Sequence, residues 1–113
     1  MAEEELIPIF RAKDAASAAA WYARLGFEVE GEHRFAPNMP LYLFLKRGNL
    51  RPHLSEHKGD APKKSLAYFW VNDVDPISVE FNAEVINQPW AREVKLIDPE
   101  GNRLRIGERK NSK

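Results

Sequence analysis

The sequence predicts an α+β protein built from two βαβββ modules, and three features of its 113 residues carry that prediction. One order of signals, a strand, a capped helix and three further strands, is met twice along the chain. The strand-like runs alternate polar and apolar residues with period two. A polar stretch from Glu56 to Lys64, containing Gly59 and Pro62, separates the two passes.

The first pass opens with Leu6-Ile7-Pro8-Ile9-Phe10 as a strand. Asp14 can accept a bond from the first free amides of a helix over Ala15 to Leu25, which places Ala18, Trp21, Tyr22 and Leu25 on one face. Gly26 supplies the left-handed exit. Strands are expected at Phe27 to Glu30, at Leu41 to Leu45 and, after a turn at Arg47-Gly48-Asn49, from Leu50 to Ser55. The second pass begins with Ser65 to Val71 as a strand, then a short helix with Asp73 or Asp75 as cap and Pro76 at a first-turn position that tolerates it. Glu84-Val85-Ile86 leads into Gln88. Glu93 to Ile97 and Arg103 to Ile106 then form a strand pair around the turn Asp98 to Asn102.

Such a chain fits one domain, with modules at about 6–56 and 65–108. An apolar content of 43% and a charged content of 30% suit a soluble protein, and no apolar run is long enough to span a membrane. Met1-Ala2-Glu3-Glu4-Glu5 lacks the basic start and apolar core of a secretory signal, so a cytoplasmic location is expected. The sequence has no cysteine, which removes disulfides, thiolate nucleophiles and thiolate metal sites. Seventeen basic and seventeen acidic side chains cancel, a balance that disfavours nucleic-acid binding.

The most distinctive segment joins Gln88-Pro89-Trp90-Ala91-Arg92-Glu93 to Asp98-Pro99-Glu100-Gly101-Asn102. In wording and spacing it resembles the bleomycin resistance proteins, a branch of the glyoxalase/dioxygenase superfamily also called vicinal oxygen chelate. The resemblance extends through Ile7-Pro8-Ile9, Ala20 to Phe27, Leu54-Ser55-Glu56-His57 and Ser65 to Val71 as far as Glu108. It implies that the two modules form a cup-shaped mixed sheet with helices on the outer face. The chain departs from its relatives in having few residues between the second helix and Gln88. Dimerisation is expected to supply part of the missing burial, as in the resistance proteins, whose binding crevices lie between subunits.

Metalloenzymes of the superfamily hold a divalent ion in the cup, and the resemblance places the four ligand positions at Ile7, His53, Leu66 and Arg105. Ile7 and Leu66 have no lone pair to give and Arg105 is a permanent cation, so no metal and no other cofactor is expected. Ser55, His53 and Glu56 do not suggest a nucleophile, base and orienter, because neighbours on a strand point to alternate faces.

With Leu66 facing the cup, as the resemblance implies, strand alternation puts Tyr68 and Trp70 there too, with Arg51, His53 and Ser55 on another strand and Arg103 and Arg105 on a third. By resemblance, Trp90 matches a tryptophan that stacks on the planar bithiazole of bleomycin, Phe35 and Tyr68 fall near aromatics of similar role, and Ser55 near a polar contact. The expected ligand-binding set is therefore Trp90, Tyr68, Phe35, Ser55, His53, Glu30, Trp70 and Arg105. Core packing is the competing reading for Phe35, Phe44 and Trp70. Arg92 and Glu93 are expected to pair with each other or hold the turn. The arginines favour an anionic or neutral ligand unless Glu30, Glu32, Glu56 or Glu108 offsets them. The expectation is a homodimeric, non-catalytic protein that sequesters a bleomycin-type glycopeptide, possibly metal-chelated. The alternatives are a metal-dependent glyoxalase or dioxygenase, and a divergent binder of another small aromatic molecule.

Overall fold

The computed structural model describes residues 4–110. In chain order the elements are β1 (Ile9–Arg11), α1 (Ala15–Ala23), β2 (Glu28–His33), β3 (Tyr42–Lys46) and β4 (His53–Ser55). Then follow β5 (Leu66–Val71), α2 (Asp75–Phe81), β6 (Ile86–Asn87), β7 (Ala91–Ile97) and β8 (Arg103–Arg109). Each module is a four-stranded mixed sheet, in the order β1-β4-β3-β2 and β5-β8-β7-β6. The first strand of each runs parallel to the last, and the other pairs are antiparallel. The expected α+β plan of two βαβββ modules is the architecture found.

Boundaries shift for local reasons. The first strand starts at Ile9 rather than Leu6, and the fourth at His53 rather than Leu50, where Pro52 has no amide to give to the ladder. α1 ends at Ala23 rather than Leu25, and Gly26, at φ 89°, turns the chain out. β2 runs on to His33 across a bulge, where the pairing jumps from Val29–Leu45 to Gly31–Phe44 and leaves Glu30 as the extra residue. Asp14 caps α1 as expected, accepting from the Ser17 amide at 3.1 Å. The second cap differs: Val74, not Asp73 or Asp75, stands at the N-cap of α2, and its amide donates to Glu108 Oε1 at 3.1 Å. Asp73 instead folds back on the Asp75 amide.

Both helices lie on the same side of the sheets, and the core fills the space between. Phe10, Tyr22, Phe27 and Phe69 are buried there with ring centroids 5.9–6.4 Å apart, joining the two modules. Polar bonds add a second tie. Tyr22 donates to Asp98 Oδ2 at 2.7 Å, so the helix of one module is held by the turn of the other. Asn102, fully buried, accepts from the Ser65 amide and donates to the Arg11 carbonyl. Asp98 Oδ1 takes the amides of Glu100 and Asn102, which closes the turn from within. Desolvation, with Asp98 as neighbour, pushes the Tyr22 phenol far above its ordinary range.

Candidate functional site

The sheet faces opposite the helices form the candidate site. Their residues follow from the ladders: in the second module Leu66 stands opposite Arg103, Tyr68 opposite Arg105, and Trp70 opposite Gly107, which in turn faces Glu93. The intervening residues Phe69, Val94, Leu104 and Ile106 are buried on the helix side.

At the centre of this face is a carboxylate with no solvent exposure. Glu93 receives the Tyr68 hydroxyl at 2.6 Å and Arg105 Nη2 at 3.0 and 2.9 Å on its two oxygens, with Gln88 at 3.4 Å. Burial pushes the Glu93 carboxyl up, but the bonds from Tyr68 and Arg105 and the Arg105 charge outweigh it and hold the group below its usual value. Burial and the bond to Glu93 push the Tyr68 phenol up. Tyr68 reaches Glu93 by crossing β8 above Gly107. A Cβ on that glycine would meet the Tyr68 hydroxyl within van der Waals contact and lie 3.0 Å from ring carbons Cε1 and Cζ. Glu93 thus pairs with Arg105 and not with Arg92, correcting the expected Arg92–Glu93 pair. Arg92 faces the helix side, bound to Asp75 at 2.8 Å and Glu108 at 3.2 Å.

Around Glu93 the structure brings together three of the eight expected ligand-binding residues, Tyr68, Trp70 and Arg105. Tyr68 and Trp70 have ring centroids 5.0 Å apart, and Arg105 lies 5.3 Å over the Tyr68 ring. Arg109 sits 4.1 Å over Trp70. Trp90 is 50% exposed, in the turn between β6 and β7.

His53, Ser55, Glu30 and Phe35 belong to the first module and form no common group with these. His53 Nδ1 is 2.7 Å from the Tyr42 hydroxyl, and its ring stands 4.8–5.2 Å from those of Phe44 and Tyr42. Burial lowers the His53 pKa against the opposing charges of Glu30 and Glu5. Ser55 is fully buried, correcting its expected place on an open cup face. Its hydroxyl donates to Asp60 at 2.6 Å and accepts from the His57 amide, because the loop after β4 folds over it. Glu30, on the bulge, lies 3.6 Å from Arg51. Phe35 is 74% exposed in the β2–β3 connection, with its ring against His33. Glu56, weighed above as an orienter or charge offset, binds the amides of Ala15 and Leu41 and so fixes the start of α1.

Between the modules lies a cleft of about 600 Å³, lined by Ile7, Pro8, Arg51, Leu66 and Tyr68 among others. Tyr68 joins it to the aromatic group. Sequence reasoning missed Tyr42 and Glu93; period-two alternation was the available signal for Tyr42, whereas nothing local marks Glu93 as bound to Tyr68.

The donor set does not fit the divalent ion of the superfamily's metalloenzymes. Ile7 and Leu66 offer only hydrocarbon to the cleft, His53 is engaged with Tyr42, and Arg105 brings a guanidinium. Among the described residues no three His, Asp or Glu side chains converge as a potential ion-binding group.

Paired βαβββ modules with helices on one side and an open face on the other define the fold class of this protein. The chain belongs to the glyoxalase superfamily, whose family model, described as glyoxalase superfamily protein, matches residues 1–113. Among solved structures it is similar to a bleomycin-binding protein complexed with bleomycin, at 21% identity and a TM-score of 0.68, covering 96% of this chain and 100% of that one. It is similar also to TnmS3, an antibiotic binding protein from Streptomyces sp. CB03234, at 16% identity and a TM-score of 0.73, covering 97% and 100%. A glyoxalase-related enzyme from Clostridium phytofermentans gives 19% identity and a TM-score of 0.77, covering 97% and 98%. A search of curated protein sequences finds no significant match.

Proposed function

We propose that this protein binds a planar aromatic antibiotic and withdraws it by stoichiometric capture, without chemical change, a bleomycin-type glycopeptide being the first compound to test. One observation carries the reading: Tyr68 lines the open cleft and pairs with Trp70 at 5.0 Å between ring centroids, while half of Trp90 is exposed in the turn before β7, so aromatic surface is available to a flat ligand. Each such stacking contact contributes roughly 0.5–1.5 kcal/mol beyond burial. The likeness to a bleomycin-binding protein and an antibiotic binding protein supports the same class of ligand. Hydrocarbon at Ile7 and Leu66 and a guanidinium at Arg105, where the superfamily's metalloenzymes would carry ligands, support capture over metal-dependent turnover.

The two modules act in this proposal as one domain, tied by Tyr22–Asp98 and Asn102–Arg11. Exposed Leu66 and Ile97 on the open face support a homodimer with ligand crevices between subunits. The expected cytoplasmic location belongs to the same proposal; among the described residues no helix is long and apolar enough to cross a membrane.

Isothermal titration with metal-free and copper-loaded bleomycin tests the ligand. Saturable heat with one drug per subunit is expected, and no heat at tens of micromolar protein removes bleomycin. Because Trp90 is half exposed, Trp90→Ala is expected to weaken binding tenfold or more while leaving the melting temperature within about 3 °C.

A further inference from the structure

We propose that the ligand of this cup carries a carboxylate or similar acidic group on its aromatic frame, held by a row of cations on the open face of the second module. This rests on the reading that the cup takes a small aromatic molecule, and it narrows that molecule to an acid.

The chain as a whole is neutral, with seventeen cations and seventeen anions, yet the charges are not evenly spread. On the open face of β8, Arg103, Arg105 and Arg109 alternate with Leu104 and Ile106 on the helix side, and Lys95 stands directly opposite Arg105 on β7. Against these four cations the same stretch of open face offers one carboxylate, Glu93, which is fully buried and already neutralised by Arg105. Lys95, Arg103 and Arg109 make no ion pair among the described residues. The acids of the second module turn elsewhere: Glu108 and Asp75 bind Arg92 on the helix side, and Asp98 closes its own turn.

Two of the cations sit over the aromatic platform. The Arg109 guanidinium covers Trp70 at 4.1 Å and that of Arg105 lies over Tyr68 at 5.3 Å, so an acidic group on a ligand beside either ring meets a cation. Both Glu93 oxygens accept from Nη2 of Arg105, which ties that nitrogen in place, while Nη1 has no hydrogen bond among the described residues and Nε is buried without a partner. A carboxylate at Nη1 would meet a donor held near it by Glu93. From Arg103 to Arg109 the row spans about 20 Å at ~3.3 Å per residue.

Three probes that share one ring system and differ in charge decide the matter: naphthalene-2-carboxylate, naphthalene-2-carboxamide and naphthalen-2-ylmethylammonium, titrated by tryptophan quenching at low salt. The carboxylate is expected to bind at least tenfold tighter than the amide, with the ammonium weakest, and the gap should shrink several-fold at 0.3 M NaCl. The double variant Arg103→Gln/Arg109→Gln, which leaves the Glu93–Arg105 pair in place, should lower the preference at least threefold, the remainder being held by Arg105. Equal binding of acid and amide, tighter binding of the ammonium, or a preference undiminished in the double variant overturns the inference. So does tighter binding of a single-stranded oligonucleotide that displaces the acid. Failure of all three probes at millimolar concentration, with bleomycin still giving heat, also overturns the acid reading but leaves the capture function standing. A carboxylate preference with no bleomycin heat supports the inference and removes the glycopeptide.

Discussion

Replacing Gly107 by alanine should destabilise the second module through Tyr68. No positive φ is recorded at Gly107, so alanine itself is compatible with the strand and would contribute up to about 1 kcal/mol through a stiffer unfolded chain. Its methyl group, however, occupies the place of the Tyr68 ring, whose Cε1 and Cζ would lie 3.0 Å away. Moving the ring breaks the 2.6 Å bond to Glu93, a buried carboxylate, at a cost of roughly 1.5–3 kcal/mol. The net loss is then about 1–2 kcal/mol. For a chain of 113 residues, ~2.1 cal/mol/K per residue gives an unfolding entropy near 0.24 kcal/mol/K, so the melting temperature should fall by about 4–8 °C. Thermal unfolding followed by circular dichroism measures the drop. Tyr68→Phe in the same background separates the mechanism from a general strain in the strand. With the hydroxyl already gone, adding Gly107→Ala should cost at least about 1 kcal/mol less than in wild type. Strict additivity, or a Gly107→Ala protein as stable as wild type, would refute the account.

Glu93 should also set an acid limit. Its folded pKa lies below the ordinary carboxyl value, so its contribution is complete above the unfolded pKa and is lost as pH falls through the folded one. Urea unfolding of wild type and Glu93→Gln should therefore differ most at neutral pH and converge as pH falls below the ordinary carboxyl range; a constant gap would show that Glu93 does not carry the effect. Tyr22→Phe removes the buried bond to Asp98 and should cost about 1–3 kcal/mol in denaturant unfolding, whereas an effect near zero would mean the ring packing alone joins the modules. His53, whose charged form burial disfavours, should titrate by NMR below the ordinary histidine value of 6.5, and a midpoint above that value would contradict its placement against Tyr42 and Phe44.

Much of the candidate site was legible from alternation alone. Leu66, Tyr68 and Trp70 fall on one face because a strand repeats every two residues, and Arg103 and Arg105 follow by the same rule. Ser55 obeys the alternation yet is buried, since the loop carrying Asp60 folds back over it, and no pattern within the strand reports a loop five residues away. The Arg92–Glu93 pairing failed because adjacent strand residues face opposite sides, so each found its partner across the sheet. Asp73 looks like a cap on composition, but Glu108, thirty-four residues beyond Val74, satisfies the Val74 amide instead.

By itself the sequence determined the elements and their doubled order, because caps, left-handed glycines and period-two alternation act within a few residues of the backbone they shape. It also determined that Ile7, Leu66 and Arg105 bring no metal donor, which is a matter of side-chain chemistry alone. Only the tertiary structure decided that Glu93 is buried beneath Tyr68 and Arg105, that Gly107 makes room for that crossing, and that Lys95 stands opposite Arg105. Those outcomes depend on which strands become neighbours, and strand order is settled by long-range packing around Phe10, Tyr22 and Phe69 rather than by any local signal.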